Sequence, residues 1–181
     1  MQMLHAGGMP ILTDGQRQAD ADNPRGYYEW ERIKRLLQEP DCIAEAEGKA
    51  VKVISTLLFA LPDHRPGGRE YRIVFLRRPL EEVVASQAAM IRRLGTQGSA
   101  LPPAAMVAAL EAHRKQVTAW LSTRSQSPVC WVDYHKLLDD ARGEAIGIQQ
   151  FLQVPLDVEA MAGQIEPTLY RQRQPSASLQ S

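Results

Sequence analysis

The sequence predicts one α/β domain whose parallel sheet is flanked by helices, and two observations carry this prediction. Short runs rich in Val and Ile, apolar on both faces, are typical of buried parallel strands. These runs alternate with amphipathic helical segments, which favours right-handed strand–helix–strand crossovers. A chain of 181 residues, 44% of them hydrophobic, can also bury a core without disulfides or a structural metal.

Four runs carry the strand signature: residues 10–12, 50–55, 71–76 and 128–133. Polar loops with Pro and Gly separate the elements at residues 13–26 and 62–68. The sequence contains no internal repeat and no sign of a second domain. We therefore interpret residues 1–173 as a single domain and residues 174–181 as a disordered tail.

Helical segments lie between these runs. Residues 29–38 are amphipathic up to Pro40, and residues 80–94 form a second helix that ends at Gly95 in the left-handed cap position. A long helix is predicted after Pro102 and Pro103, because one apolar stripe recurs there at helical spacing, at Met106, Leu110, Val117 and Leu121. Residues 1–6 and the two glycines after them resemble the last turn and C-cap of a helix, the alternative being a frayed chain end.

Composition bears on the partners and the compartment. Lys and Arg total 21 and so do Asp and Glu, so no long-range field attracts nucleic acid or an anionic membrane. Cys42 and Cys130 lie outside any Cys-x-x-Cys spacing, and we expect free thiols in a reducing, cytoplasmic compartment. The four histidines form no ligand pair, and the longest apolar run, residues 54–62, is far shorter than the roughly 20 residues of a membrane-spanning helix.

Arg78 and Ser86 form the most informative pair of polar residues. A buried strand ends in Arg77 and Arg78, and the chain then turns through Pro79 into a helix that carries Ser86. Ligands of open α/β sheets bind beyond the carboxyl ends of the strands, and a guanidinium with a nearby hydroxyl suits a phosphomonoester. The alternative is that the arginines pair with Glu81 or Glu82 while Ser86 faces solvent.

This stretch resembles the sulfotransferases that use 3′-phosphoadenosine 5′-phosphosulfate (PAPS), especially bacterial members. The separation of eight between Arg78 and Ser86 is similar to the segment that binds the 3′-phosphate in that family. Further segments that resemble the family are NPRGYYE at 23–29, GKAVKVIS at 48–55, WVDYHKL at 131–137 and FLQVP at 151–155. The resemblance extends over residues 1–173.

The resemblance implies a three-layer parallel sheet of the P-loop type and transfer of a sulfuryl group from PAPS to a hydroxyl or amine. Matched to the family motifs, Arg78 and Ser86 would hold the 3′-phosphate, and Tyr134 would border the adenosine. Lys52 would face the transferring group, and such a transfer depends on positioning and charge stabilisation. No metal or redox cofactor is implied, and the acceptor is not specified by any motif.

The sequence departs from the family at its beginning. Family members open with a strand and a loop similar to Pro-Arg-Ser-Gly-Thr-Ser that cradles the 5′-phosphosulfate, and this sequence has no such loop. We therefore expect a fold that lacks its first strand and phosphosulfate loop, with impaired transfer. The absent strand would lie inside the sheet and leave its two neighbours without partners. A mis-called start and a truncated paralogue are both open explanations.

The proton acceptor is a second departure, because Ile54 stands where several family branches have His. We assign Glu29 to the catalytic set together with Lys52, but Asp14 and His64 are also candidates. The alternative, which the residue types favour, is that each of these three residues is a solvated loop charge or a helix cap.

Several other polar residues have simpler interpretations. His135 is expected in the first turn of the helix that follows Asp133 and Tyr134, and His113 is expected to be a packing residue. Arg171 and Arg173 are expected in a solvated tail.

A non-catalytic function is the alternative to an enzyme. In that case the chain would bind the adenosine 3′-phosphate half of the nucleotide, or would oligomerise or bind a protein through open sheet edges. A third possibility is an α/β domain that binds another nucleotide and has no preference for a 3′-phosphate.

Overall fold

The structure, a computed structural model, describes residues 1–20, 23–62, 70–95 and 101–166. Within these ranges two strands, β1 (Ile73–Arg77) and β2 (Val129–Asp133), pair in parallel. Their register runs from Ile73 opposite Val129 to Arg77 opposite Asp133. The chain is therefore an α/β protein, as predicted, and two of the four predicted strand runs form strands.

The other two predicted strands form only one bridge in the described part of the chain. Ile11 pairs with Ala50 in parallel, and two backbone hydrogen bonds of 2.8 and 2.9 Å hold this contact. The prediction of a strand over residues 50–55 is wrong, because a strand needs a repeated ladder of hydrogen bonds and the extended chain after Ala50 has none among the described residues. Ser55 instead begins a 3-10 helix, Ser55–Ala60.

Six α-helices occur in the described ranges: α1 (Gln2–Ala6), α2 (Leu80–Leu94), α3 (Pro103–Ser122), α4 (Tyr134–Asp139), α5 (Ala141–Leu152) and α6 (Val158–Ala162). The prediction for α2 is confirmed, and Gly95 has the expected left-handed backbone with φ of 62°. The long helix after Pro102 is also confirmed. None of these helices is long and apolar enough to cross a membrane.

The helix predicted over residues 29–38 is shorter and of a different type. Glu31–Arg35 is a 3-10 helix, and Pro40–Ala46 is a second one that begins at the proline. Trp30, Ile33 and Leu36 recur every three residues and are all buried, Leu36 completely. A helix with three residues per turn places all three on one face, which an α-helix with 3.6 residues per turn does less well.

Apolar side chains cover both faces of the strand pair. Ile73 and Phe75 contact the core cluster that includes Leu36 and Val117, whereas Val74 contacts the second cluster around Met161. This alternation is expected because successive strand side chains point to opposite faces.

The short helix α1 is held by tertiary packing. Gly7 is the C-cap of α1, so the helix end predicted from residues 1–6 is confirmed. A Cβ atom at Gly7 would lie 2.6 Å from Cγ of Met161 in α6. Gly7 also accepts a hydrogen bond of 3.0 Å from the backbone N–H of Asp157. These contacts explain how a helix too short to be stable in water is ordered here.

Candidate functional site

Arg78 and Tyr134 lie together at the carboxyl end of the strand pair. Arg77 and Asp133 are opposite each other in the parallel register, so the residues that follow them leave the same edge of the sheet. The guanidinium carbon of Arg78 is 5.1 Å from the centre of the Tyr134 ring, a cation–π contact. Two of the residues assigned to the nucleotide from distant parts of the sequence are therefore neighbours.

Glu82 connects this edge to helix α2. Its Oε2 accepts a hydrogen bond from Nε of Arg78 at 3.1 Å, and its Oε1 lies 3.2 Å from Nε2 of His135. The Glu82 carboxylate is 1% exposed. A buried carboxylate is stable only when paired, so Arg78 and His135 each satisfy one of its oxygens.

Ser86 follows Glu82 by one turn of α2 and is half-buried. Residues four apart lie on one face of a helix, so Glu82 and Ser86 share the face that begins beside Arg78. His135 lies in the first turn of α4, as predicted, and Asp133 caps that helix by accepting the backbone N–H groups of His135 and Lys136.

Sequence reasoning assigned neither Glu82 nor His135 to the site. The spacing of four between Arg78 and Glu82 was a usable local signal, and the sequence did allow this pairing as an alternative. The contact between Glu82 and His135 joins residues 53 positions apart, and nothing local indicates it.

Lys52 and Glu29, the two residues assigned to catalysis, form an ion pair. Nζ of Lys52 is 3.2 Å from Oε1 of Glu29 and also donates to the backbone oxygen of Tyr27 at 3.2 Å. Nη1 of Arg17 donates to the same Oε1 at 3.1 Å. Sequence reasoning missed Arg17, which lies in a polar loop without a distinctive motif.

Tyr27 lies beside this ion cluster. The Arg17 guanidinium is 3.4 Å from the centre of the Tyr27 ring, and the Tyr27 hydroxyl donates to Asp20 at 2.7 Å. That hydrogen bond is the main reason why the pKa of Asp20 is lowered, and the positive charges of Arg17 and Arg93 lower it further.

Lys52 also lies near the start of α1. Burial lowers the pKa of the α-amino group of Met1, and the positive charge of Lys52 lowers it further.

The other base candidate that the structure describes, Asp14, acts as a backbone cap. Its carboxylate accepts the N–H of Glu31 at 2.6 Å and the N–H of Gln16 at 3.1 Å. These bonds lower the pKa of Asp14, which makes it a weaker proton acceptor. His64, Arg171, Arg173 and the predicted tail at 174–181 lie outside the described residues.

His113 has a polar partner as well as an apolar one. Its Nε2 is 2.9 Å from Oγ of Ser55, and its ring meets the edge of Phe59 at a centroid distance of 6.0 Å. It therefore joins α3 to the 3-10 helix Ser55–Ala60.

A shallow cleft of about 360 Å³ borders the Glu29 loop. Its walls include the rings of His5 and Tyr28, whose centres are 5.7 Å apart, and the apolar side chains of Met9 and Ile11. Tyr28 has a positive φ of 50°, an unusual conformation for a residue with a side chain. Thr13, also in the wall, donates its hydroxyl to the backbone oxygen of Glu29 at 2.8 Å.

In the described ranges, no group of three His, Cys, Asp or Glu side chains is arranged to hold a metal ion. Comparison of the chain with protein-family models, with curated proteins and with solved structures returned no match.

Proposed function

We propose that this protein is a sulfotransferase-like domain that binds PAPS and transfers its sulfuryl group to a hydroxyl or amine. One observation carries the proposal: Arg78 and Tyr134, assigned to the nucleotide by separate motifs, lie 5.1 Å apart at the carboxyl edge of the strand pair. This edge is where α/β sheets bind their ligands.

The nucleotide half of the site would contain Arg78, Ser86 and Tyr134. Glu82 orients the Arg78 guanidinium through Nε, and an oriented guanidinium loses less entropy when it binds a phosphate. Ser86 lies further along the same face of α2 and would add a hydroxyl to the 3′-phosphate. Tyr134 would border the adenosine.

The transfer half would contain Lys52 and Glu29. A lone pair of the acceptor oxygen or nitrogen forms the bond to sulfur, and the bond from sulfur to the bridging phosphate oxygen breaks. The electron pair of that bond leaves with adenosine 3′,5′-bisphosphate. Lys52 offsets the negative charge around the sulfuryl group, and Glu29 accepts the proton of the acceptor. The cleft beside Tyr28 and Thr13 would hold the acceptor, because it borders the Glu29 loop.

The finer fold is part of the same proposal: a three-layer parallel sheet of the P-loop type. Apolar clusters on both faces of the strand pair support three layers. The bridge between Ile11 and Ala50, separate from the ladder of β1 and β2 in the described residues, supports a sheet with an interrupted centre. Cys42 and Cys130 are free thiols, which supports a reducing, cytoplasmic location.

Nucleotide binding without transfer is the second candidate, and the state of Glu29 favours it. Oε1 of this carboxylate accepts hydrogen bonds from both Arg17 and Lys52, so its negative charge is already paired with two cations. In this case the same nucleotide would bind at Arg78 without turnover.

Calorimetric titration with adenosine 3′,5′-bisphosphate and with AMP tests the nucleotide site. We expect the bisphosphate to bind more tightly than AMP, and Arg78→Ala to cost about 2 to 4 kcal/mol of bisphosphate affinity. Ser86→Ala should cost about 1 kcal/mol, the value of one hydrogen bond. Arg142→Ala, which removes an exposed arginine from α5, is the control for net charge.

Equal affinity for the two nucleotides, or an unchanged affinity in Arg78→Ala, would refute the proposed function. Release of adenosine 3′,5′-bisphosphate from PAPS in the presence of phenols, alcohols or amines separates the two candidates. Release that depends on the acceptor supports transfer, whereas tight binding without release supports the non-catalytic alternative.

A further inference from the structure

Glu29 is surrounded by cations that are more exposed than it is. Its Oε1 is paired with Arg17 at 3.1 Å and with Lys52 at 3.2 Å. The Glu29 side chain is 18% exposed, whereas Arg17 is 42% and Lys52 is 37% exposed. Solvent, and therefore a ligand, can reach both cations.

Contacts other than Glu29 hold these two cations. Arg17 stacks on the ring of Tyr27, and Lys52 donates to the backbone oxygen of the same residue. The Tyr27 hydroxyl is bound by Asp20 at 2.7 Å, which fixes the ring. Both cations can therefore stay in position if another anion replaces the Glu29 carboxylate.

Arg17 and Lys52 share one oxygen of the Glu29 carboxylate. Asp20 is a second anion of this group, because the positive charge of Arg17 lowers the pKa of its carboxyl. Lys34 is 4.0 Å from Oε2 of Glu29 but 2.6 Å from Glu31, so it is mainly paired with Glu31. A tetrahedral oxyanion in place of the Glu29 carboxylate would give Arg17 and Lys52 an oxygen each.

We propose that Arg17 and Lys52 bind the oxyanion end of a ligand, a sulfuryl or phosphoryl group, and that Glu29 occupies this site in the ligand-free protein. Binding then exchanges one anion for another and releases the Glu29 carboxylate beside the bound group. Under the proposed function, on which the identity of the natural ligand rests, this release makes Glu29 available to accept a proton. The anion site itself requires no nucleotide.

Calorimetric titration with inorganic pyrophosphate at fixed ionic strength tests the site alone. We expect Glu29→Gln to bind pyrophosphate about tenfold more tightly, because the competing carboxylate is gone, and Arg17→Ala to bind it about tenfold more weakly. The exposed pair of Arg142 and Glu159, 2.7 Å apart on α5 and α6, offers matched controls. Glu159→Gln changes the net charge as Glu29→Gln does, and Arg142→Ala changes it as Arg17→Ala does. Both controls should leave the pyrophosphate affinity within about twofold of that of the unchanged protein.

Equal gains in Glu29→Gln and Glu159→Gln would overturn the proposal, because the effect would then be one of net charge. Absence of pyrophosphate binding in every variant would also overturn it. Circular dichroism establishes that each variant is folded, and Glu29→Gln still tests the exchange if Arg17→Ala does not fold.

The same proteins titrated with adenosine 3′,5′-bisphosphate keep this inference separate from the proposed function. If the pyrophosphate affinity depends on Arg17 and Glu29 but the bisphosphate affinity does not depend on Arg78, the anion site is supported and the sulfotransferase assignment is refuted. If the bisphosphate affinity depends on Arg78 but the pyrophosphate affinity does not depend on Arg17, the sulfotransferase assignment is supported and the anion site is refuted.

Discussion

Arg78 and Glu82 are joined by an ion pair of 3.1 Å at the point where β1 leads into α2. The sequence allowed two roles for Arg78, a partner for an acidic residue of α2 or a ligand for a phosphate. The structure contains the ion pair, and phosphate binding stays a prediction. A guanidinium has five N–H donors, and Glu82 accepts from the one on Nε of Arg78.

Glu82→Gln should lower the free energy of unfolding by about 1 to 3 kcal/mol. The substitution keeps the size of a nearly fully buried side chain but removes the charge that Arg78 and His135 pair with. The cost is below that of a wholly buried ion pair, because both partners remain partly exposed. Urea denaturation measures it. Glu159→Gln, in an exposed pair, should cost less than about 1 kcal/mol, and equal costs for the two variants would contradict this account.

Lys52→Ala should weaken PAPS binding by about tenfold or more and weaken adenosine 3′,5′-bisphosphate binding less. The reason is that only PAPS carries the sulfuryl group that Lys52 is proposed to face. Competition binding of the two nucleotides provides the comparison, with Lys115→Ala, an exposed lysine of α3, as the control. Equal losses for both nucleotides would show that Lys52 does not distinguish the sulfuryl group.

Asp14→Asn should reduce the loss of folding stability that occurs when the pH is lowered. The backbone N–H groups of Glu31 and Gln16 hold the pKa of Asp14 below its ordinary value. Stability from a carboxylate with a lowered pKa is present above the unfolded-state pKa, about 3.9, and is lost as the pH falls through the folded-state pKa. The urea midpoint of the unchanged protein should therefore fall more steeply below about pH 4 than that of Asp14→Asn.

Asp139→Asn, an exposed aspartate at the end of α4, makes the same change in net charge as Asp14→Asn. Its urea midpoint should follow that of the unchanged protein across the acid range. If the urea midpoints of Asp14→Asn and of the unchanged protein change with pH in the same way, the proposed capping role of Asp14 is contradicted.

Gly7→Ala should destabilise the protein by about 1 to 3 kcal/mol, because the new methyl group overpacks a core site. The added Cβ would lie 2.6 Å from Cγ of Met161, whose side chain is completely buried. Gly147→Ala is the matched control in α5, where a Cβ meets no atom within 4 Å. Alanine there should stabilise the helix by about 0.5 to 1 kcal/mol. Thermal unfolding of both variants tests the contrast, and a stabilising effect at Gly7 would contradict the packing argument.

Much of the fold near the candidate nucleotide site could be predicted from the sequence. The bounds of α2 follow from Pro79 before it and Gly95 after it, and both residues act through their own backbone preferences. The ion pair between Lys52 and Glu29 was harder to predict. Lys52 and Glu29 could be selected by residue type and resemblance, but no local pattern indicated that Arg17 shares the same carboxylate oxygen.

The sequence by itself determined the α/β class, the two paired strands and the helices α2 and α3, because apolar periodicity, proline and glycine act within a few residues of where they occur. Tertiary structure alone decided that residues 31–35 form a 3-10 helix, that the chain after Ala50 pairs with no strand among the described residues, and that Glu82 is shared by Arg78 and His135. These outcomes depend on which distant surfaces pack together. A charged side chain pairs with an opposite charge that the fold places within about 4 Å, and the separation of two residues in the sequence does not predict that distance.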